Sequence, residues 1–412
     1  MRPGSTKVLL ALGAAAAAGL VFALFLRVQP PAGDELTLVP IQRDLGGVPA
    51  LPGTRAGIDP LDAELTSRFP PSTFLRRPLS PEEVELLFAL GQREFDVYDP
   101  HCYFVKRAGL EGRRDWPEHP EGHYAWRTNS LGLRGSAEPA PTSPDLRVLV
   151  VGDSHTEGVC LDAETFPARL EQGLRQAHPD RTIEVLNAAR GGYSFFQYLG
   201  ALERALELEP DVLVVGIYGG NDFEEVLTPH HYFQGTLRPP ADKFRELRAR
   251  ALKGHVASIG QALNSVKYFA TWPDQVDVAL QAIRDCCTEI QALCLRRSIH
   301  PVFVFIPSAA EIEPDGHPKL REALAMLEVS PEDLRTSERM ADSLLAFLRQ
   351  RGLDVLDMRP VFRSTDVLLY WKADLHSNLE ALRLIAAELL ALFERRGLVL
   401  GQRVRAAPGR PR

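Results

Sequence analysis

From Leu146 onwards, five short apolar runs alternate with helical patterns, and that alternation leaves few folds open. The runs are Val148–Val151, Ile183–Leu186, Val212–Ile217, Val302–Ile306 and Val355–Met358. Helix-period segments follow at 164–177, 196–207, 275–297, 332–351 and 378–396. In the first of them the apolar positions are Phe166, Leu170 and Leu174, spaced to face one side of a helix. Strand, crossover helix and strand in succession predict an α/β protein whose parallel sheet is covered on both faces. Ligands of such sheets bind beyond the carboxyl ends of the strands.

The residues at those ends carry chemistry. The first strand runs into Gly152-Asp153-Ser154-His155-Thr156-Glu157-Gly158. A serine at a strand-to-helix turn stands exposed at the sheet edge, where the amides of the next turn can point at whatever it attacks. Gly-Asp-Ser is also ordinary turn chemistry, so the motif needs company. After the second strand comes Asn187-Ala188-Ala189-Arg190-Gly191-Gly192-Tyr193-Ser194. Its paired glycines let a backbone N–H approach a ligand with no Cβ in the way. After the third comes Gly219-Gly220-Asn221-Asp222. An Asn carboxamide carries two N–H donors, which can stabilise a developing oxyanion.

Near the C-terminus stands Asp374-Leu375-His376-Ser377-Asn378-Leu379-Glu380. Ser377 and Glu380 have the spacing of a capping box for the last helix. That places His376 on the loop before the helix, facing the sheet edge where Ser154 points. There it can take the Ser154 proton while Asp374 holds the imidazole tautomer. Each block alone also fits a plain turn; together, at successive strand ends, they point to an acyl-transfer site. No G-x-G-x-x-G follows the first strand and no G-x-S-x-G occurs, which speaks against a dinucleotide site and against the ordinary nucleophile elbow. No cofactor is expected. His230 and His231 have no carboxylate or third His at ligand spacing and read as loop residues rather than a metal pair.

The rest of the chain frames this domain. Arg2 and Lys7 precede an uninterrupted apolar run, Val8–Leu26, closed by Arg27. Its length suits a membrane span, and the basic start favours a cytoplasmic N-terminus. A cleaved signal is the alternative, though no A-x-A-like site follows the run. The expected organisation is a cytoplasmic tip and signal anchor at 1–27, then a Pro/Gly-rich linker with a short helix at 28–92. A small irregular or β-rich pre-domain at 93–144, the main domain at 145–400 and a basic tail at 401–412 complete it. Ser80 and Pro81 open the short helix, which the pattern carries to Leu90. A net charge of −7 over 412 residues gives no reason to expect nucleic acid as a partner. Five cysteines, Cys102, Cys160, Cys286, Cys287 and Cys294, show no C-x-x-C spacing. They read as buried thiols, with a bridge involving Cys102 left open. Oligomeric state is not legible.

The four blocks, in this order, resemble the SGNH (GDSL-type) hydrolase superfamily, whose signature residues match Ser154, Gly192, Asn221 and His376. The flanking Glu164-Thr165-Phe166-Pro167 is similar to many members, and Asn129-Ser130-Leu131-Gly132-Leu133-Arg134-Gly135 resembles a box in membrane-anchored bacterial ones. The resemblance implies a flavodoxin-like three-layer α/β/α sandwich with a five-stranded parallel sheet. It also implies a Ser154–His376–Asp374 triad and an oxyanion hole from Ser154, Gly192 and Asn221, supported by Gly152, Asp153 and Asp222. Two departures stand out: His155 occupies the position where the family name records a Leu, and Asp374 precedes His376 by two residues rather than three. The D-x-H spacing is similar to that of polysaccharide O-acetyltransferases with this fold. The expectation is therefore a serine esterase, anchored in a bacterial inner membrane with its catalytic domain in the periplasm. Its substrate would be an acylated, chiefly acetylated, glycan or lipid. An O-acetyltransferase and a non-catalytic glycan-binding protein are the alternatives. Tyr370 and Trp371 would suit a sugar platform, but packing is the better use for them.

Overall fold

The computed structural model describes residues 74–236, 261–313 and 317–399. The apolar run Val8–Leu26, most of the linker and the basic tail lie outside these residues. Among the described residues no helix is long and apolar enough to cross a membrane.

The chain enters through a helix at Pro81–Phe88. As the sequence predicts, Ser80 caps it: its Oγ accepts from the Glu83 N–H at 3.3 Å and Glu83 accepts from the Ser80 N–H at 2.8 Å. The helix stops two residues short of Leu90 because Ala89 turns left-handed, with φ 49°. Two antiparallel hairpins follow: β1 (Asp96–Asp99) with β2 (Tyr103–Lys106), and β3 (Glu111–Asp115) with β4 (His123–Arg127).

The main sheet has five parallel strands: β5 (Leu146–Val151), β6 (Ile183–Asn187), β7 (Val212–Tyr218), β8 (His300–Ile306) and β9 (Asp354–Asp357). Their order is β6-β5-β7-β8-β9, the flavodoxin-like arrangement. Alternate residues of each strand face opposite cores, as the two-residue period of a strand requires. Leu149, Val151, Leu213, Val215, Phe303 and Phe305 join one core with the helices Phe195–Arg204, Gln275–Arg296 and Pro331–Gln350. Val148, Val150, Val212, Val214, Val302 and Val304 join the other, under Phe166–Ala177 and Leu379–Arg396. Every strand residue of β5 and β7 is buried. Both faces covered is why these segments read as unbroken apolar runs.

The residues before the sheet share its cores. Val84, Phe88, Tyr103 and Phe104 belong to the first core, and the Phe104 ring meets Tyr193 edge-on at 5.2 Å. The second hairpin lies elsewhere: Trp116, Tyr124 and Trp126 cluster with Trp371, on the loop that carries His376. All five cysteines are buried free thiols.

Candidate active site

In the 2-1-3-4-5 strand order the chain reverses direction across the sheet between β5 and β7, which opens a crevice at their carboxyl ends. Ser154 follows β5 and Asn221 follows β7. Strand β5 ends at Gly152, where a Cβ would stand 2.2 Å from Thr156 Oγ1; only glycine fits. Asp153 then caps the four-residue helix Ser154–Glu157, its Oδ1 accepting from the His155 N–H at 2.9 Å. That turn sets Ser154 at the helix start, half-buried among fully buried neighbours. Asp153 is itself fully buried, and burial pushes its carboxyl up to about 7.

His376 reaches Ser154 from the other end of the chain, with Nε2 2.9 Å from Ser154 Oγ. Its Nδ1 lies 2.7 Å from Asp374 Oδ2, and Asp374 Oδ1 accepts from the His376 backbone N–H at 3.0 Å. A carboxylate only accepts, so Nδ1 carries the ring proton and Nε2 accepts from the Ser154 hydroxyl. Burial lowers the imidazole pKa, but Asp374 outweighs it and holds the group above its ordinary value. The two-residue spacing works because Leu375 adopts φ 61°, unusual for a branched side chain. A left-handed residue between them turns Asp374 and His376 toward one another, and the buried Leu375 side chain pins the turn in the core.

Gly192 takes φ 82°, and a Cβ there would stand 3.2 Å from the Arg93 guanidinium. The neighbouring Gly191 approaches Ser154 so closely that a Cβ on it would lie 3.4 Å from Ser154 Cβ. Asn221 is buried at the end of β7, and its Nδ2 donates to Glu225 Oε1 at 3.0 Å. One of its two N–H groups is thereby used and fixes the carboxamide. Asp222 is fully buried and accepts from the Tyr218 N–H and the Tyr198 hydroxyl, both at 2.8 Å. Burial raises its pKa well above the usual carboxylate range. Asp222 therefore braces the loop rather than facing Ser154. A serine donating to an imidazole backed by a carboxylate is the arrangement that general-base activation of a nucleophile requires.

A sequence profile of the GDSL-like lipase/acylhydrolase family matches residues 150–384, more than half of the chain. The chain belongs to this family. It is an ester hydrolase of the GDSL type. No curated relative matches it. Among solved structures it is similar to an acetyl xylan esterase, at 12% identity, 60% coverage of this chain, 99% of the other and a TM-score of 0.36. It is also similar to an acetylxylan esterase from Geobacillus stearothermophilus, at 14% identity, 65% and 100% coverage and a TM-score of 0.36. A lipolytic protein of the G-D-S-L family from Desulfitobacterium hafniense gives 14%, 60%, 98% and 0.34.

Several residues that support the site of this GDSL-type hydrolase carry little signal in the sequence. Glu157 is buried and accepts from the Gly191 N–H at 2.7 Å and from Arg190 at 3.2 Å; Lys106 of β2 pairs with it. Burial disfavours the Glu157 charge, yet Lys106 and Arg190 hold its pKa below the usual range. Arg190 in turn grips Asp96 of β1 at 2.7 and 2.8 Å. The first hairpin thus ties down the glycine loop. The second hairpin ties down the histidine loop: Glu118 accepts from the backbone N–H groups of Lys372 and Ala373 at 2.7 and 2.6 Å. Glu157 was visible only as a charge inside an apolar-flanked motif; Glu118 gave no signal.

Two expectations change. Ser377 does not cap the last helix. Asn378 does, its Oδ1 accepting from the Glu380 and Ala381 N–H groups at 3.0 and 3.2 Å, because the helix begins one residue later. Glu380 pairs with Arg383 instead. His230 and His231 lie in the helix Leu227–Phe233, not a loop, and the buried His231 contacts Gln275 Oε1 at 2.8 Å. Among the described residues no cluster of three or more His, Cys, Asp or Glu is placed to hold a metal ion. Tyr370 and Trp371 are buried, with Trp371 Nε1 donating to the Val159 carbonyl at 3.1 Å. They pack, the use the sequence analysis favours for them, rather than forming an exposed platform.

Proposed function

We propose that this protein is an extracytoplasmic serine esterase that removes short acyl groups, acetyl foremost, from a cell-envelope glycan or lipid. The observation that carries the reading is the unbroken chain from Ser154 Oγ to His376 Nε2 at 2.9 Å and from His376 Nδ1 to Asp374 Oδ2 at 2.7 Å. Ser154 Oγ attacks the ester carbonyl carbon as His376 takes its proton. The Ser154 and Gly192 amides and the second N–H of Asn221 hold the oxyanion. His376 passes the proton to the departing alcohol, leaving an acyl-serine. Water, deprotonated by His376, attacks that ester; the bond to Ser154 Oγ breaks as His376 returns the proton to it, releasing the acid and free Ser154. Gly152 and Asp153 shape the nucleophile turn, and Asp222 braces the Asn221 loop. The apolar run Val8–Leu26 behind Arg2 and Lys7 supports an inner-membrane anchor with the domain outside the cytoplasm.

The test is turnover of p-nitrophenyl esters of increasing chain length by the purified protein, followed by acetylated oligosaccharides with and without acceptor sugars. Acetate released into water, with acetyl esters fastest, is the expected result. Mass-spectrometric recovery of most of the acetyl on an acceptor sugar would replace hydrolysis with transfer.

A further inference from the structure

The residue after Ser154 is a second buried imidazole, and its contacts lead to the same loop that carries Asp374 and His376. His155 is 1% exposed. Its Nδ1 lies 2.9 Å from Ser377 Oγ and accepts from the Ser377 backbone N–H at 3.3 Å. A nitrogen that accepts a backbone N–H carries no proton itself. The ring proton therefore sits on Nε2, which faces Gln261 Oε1 at 3.3 Å. Gln261 passes the chain on, its Nε2 donating to the Asp374 carbonyl at 3.0 Å. Tyr218 stacks on the His155 ring at 3.5 Å, fixing its plane. The imidazole thus holds the loop at both sides of His376, through Ser377 and through Asp374.

We infer that His155 is a positioning residue: a neutral, Nε2-protonated imidazole that clamps the 374–377 loop so that His376 meets Ser154. This rests on the hydrolytic role proposed for Ser154 and His376. His155 is not an alternative base, because both its nitrogens are committed, Nδ1 to Ser377 and Nε2 to Gln261. Its neutrality is consistent with the surroundings: burial, and the His376 ring centred 4.9 Å away, lower its pKa well below the ordinary value. A protonated ring would carry an N–H at Nδ1 pointing at the Ser377 N–H. A leucine, the residue that names the family motif, fills similar space but makes neither bond.

The experiment measures kcat, KM and the pH profile of kcat/KM for the full chain on p-nitrophenyl acetate, with S154A and H155L, H155N and Q261A. Since loop misplacement of about 1 Å costs roughly 10²-fold, H155L is expected to lose about 30- to 100-fold in kcat with KM within about twofold. H155N keeps an acceptor near the Nδ1 position and should recover about tenfold of that loss. The acid limb, set by His376 among Asp374, Asp153, Arg114 and His155, should move to lower pH in H155L as the Asp374 contact loosens. If H155L is poorly folded by circular dichroism, Q261A supplies the test: a kcat loss without a KM change supports the clamp, and none overturns it. Wild-type kcat and pH profile in folded H155L also overturn it. Turnover that survives in S154A would instead defeat the reading of the site itself.

Discussion

Ser154 and His376 are 222 residues apart in the chain, yet both were legible, because each sits in a motif whose turn chemistry fixes where it points. Asp374 was legible as the partner of His376, but the turn that joins them across two residues was not, since nothing in a sequence reveals that Leu375 takes a positive φ. Asn221 was legible as a donor, but its hydrogen bond to Glu225, a surface-type residue turned inward, was not. At this scale two outcomes are expected. Asn221→Ala should lower kcat by about 10²–10³, roughly 3–4 kcal/mol, and leave KM nearly unchanged, because the donor strengthens only as charge develops. Steady-state kinetics check this; a pure KM effect would make Asn221 a ground-state contact. The second concerns pH. Asp374 favours the imidazolium and holds His376 above its ordinary pKa, so kcat/KM should rise with pH through a limb above about 6.5. Asp374→Asn removes the carboxylate, moves that limb to lower pH and should cost about 10⁴-fold in kcat.

The strands were readable as elements because both faces are buried, so their apolar runs are continuous and tell helix from strand by length. Their ends were less so. Strand β8 starts at His300, two residues before the apolar run, because the ladder with β7 continues through His300 and Pro301. The last helix starts after Asn378 because the Ser377 hydroxyl is taken by His155. What no periodicity could show is how the two hairpins grip the active-site loops, since those contacts are single charges on long-range partners. The Glu157 carboxylate is the joint between the first hairpin and the glycine loop. Glu157→Gln would leave Lys106 and Arg190 facing a neutral amide in a buried site. A loss of about 3–5 kcal/mol in unfolding free energy is expected, read from the urea midpoint. An unchanged midpoint would show that the joint contributes nothing.

For the molecule as a whole, a hydrolase built this way presents one reactive edge. The sheet carries Ser154, Gly192 and Asn221 on adjacent strand ends β5, β6 and β7, and the hairpins before the sheet lock two of the loops. Among the described residues that precede the family-matched segment, the two hairpins thus hold active-site loops in place. With Arg2 and Lys7 inside, a phosphatase fused after residue 30 should be active and a reporter that works only in the cytoplasm silent. A soluble mature protein beginning shortly after Leu26 would mean the segment is removed.

On this reading Ser154 is the nucleophile, activated by His376. Covalent labelling with a fluorophosphonate, read by peptide mass spectrometry, tests it most directly. A single adduct is expected on the peptide containing Ser154, absent in Ser154→Ala and nearly abolished in His376→Ala, because members of such a unit act together. An adduct of undiminished rate in Ser154→Ala, or one mapped to another residue in the native enzyme, would contradict it.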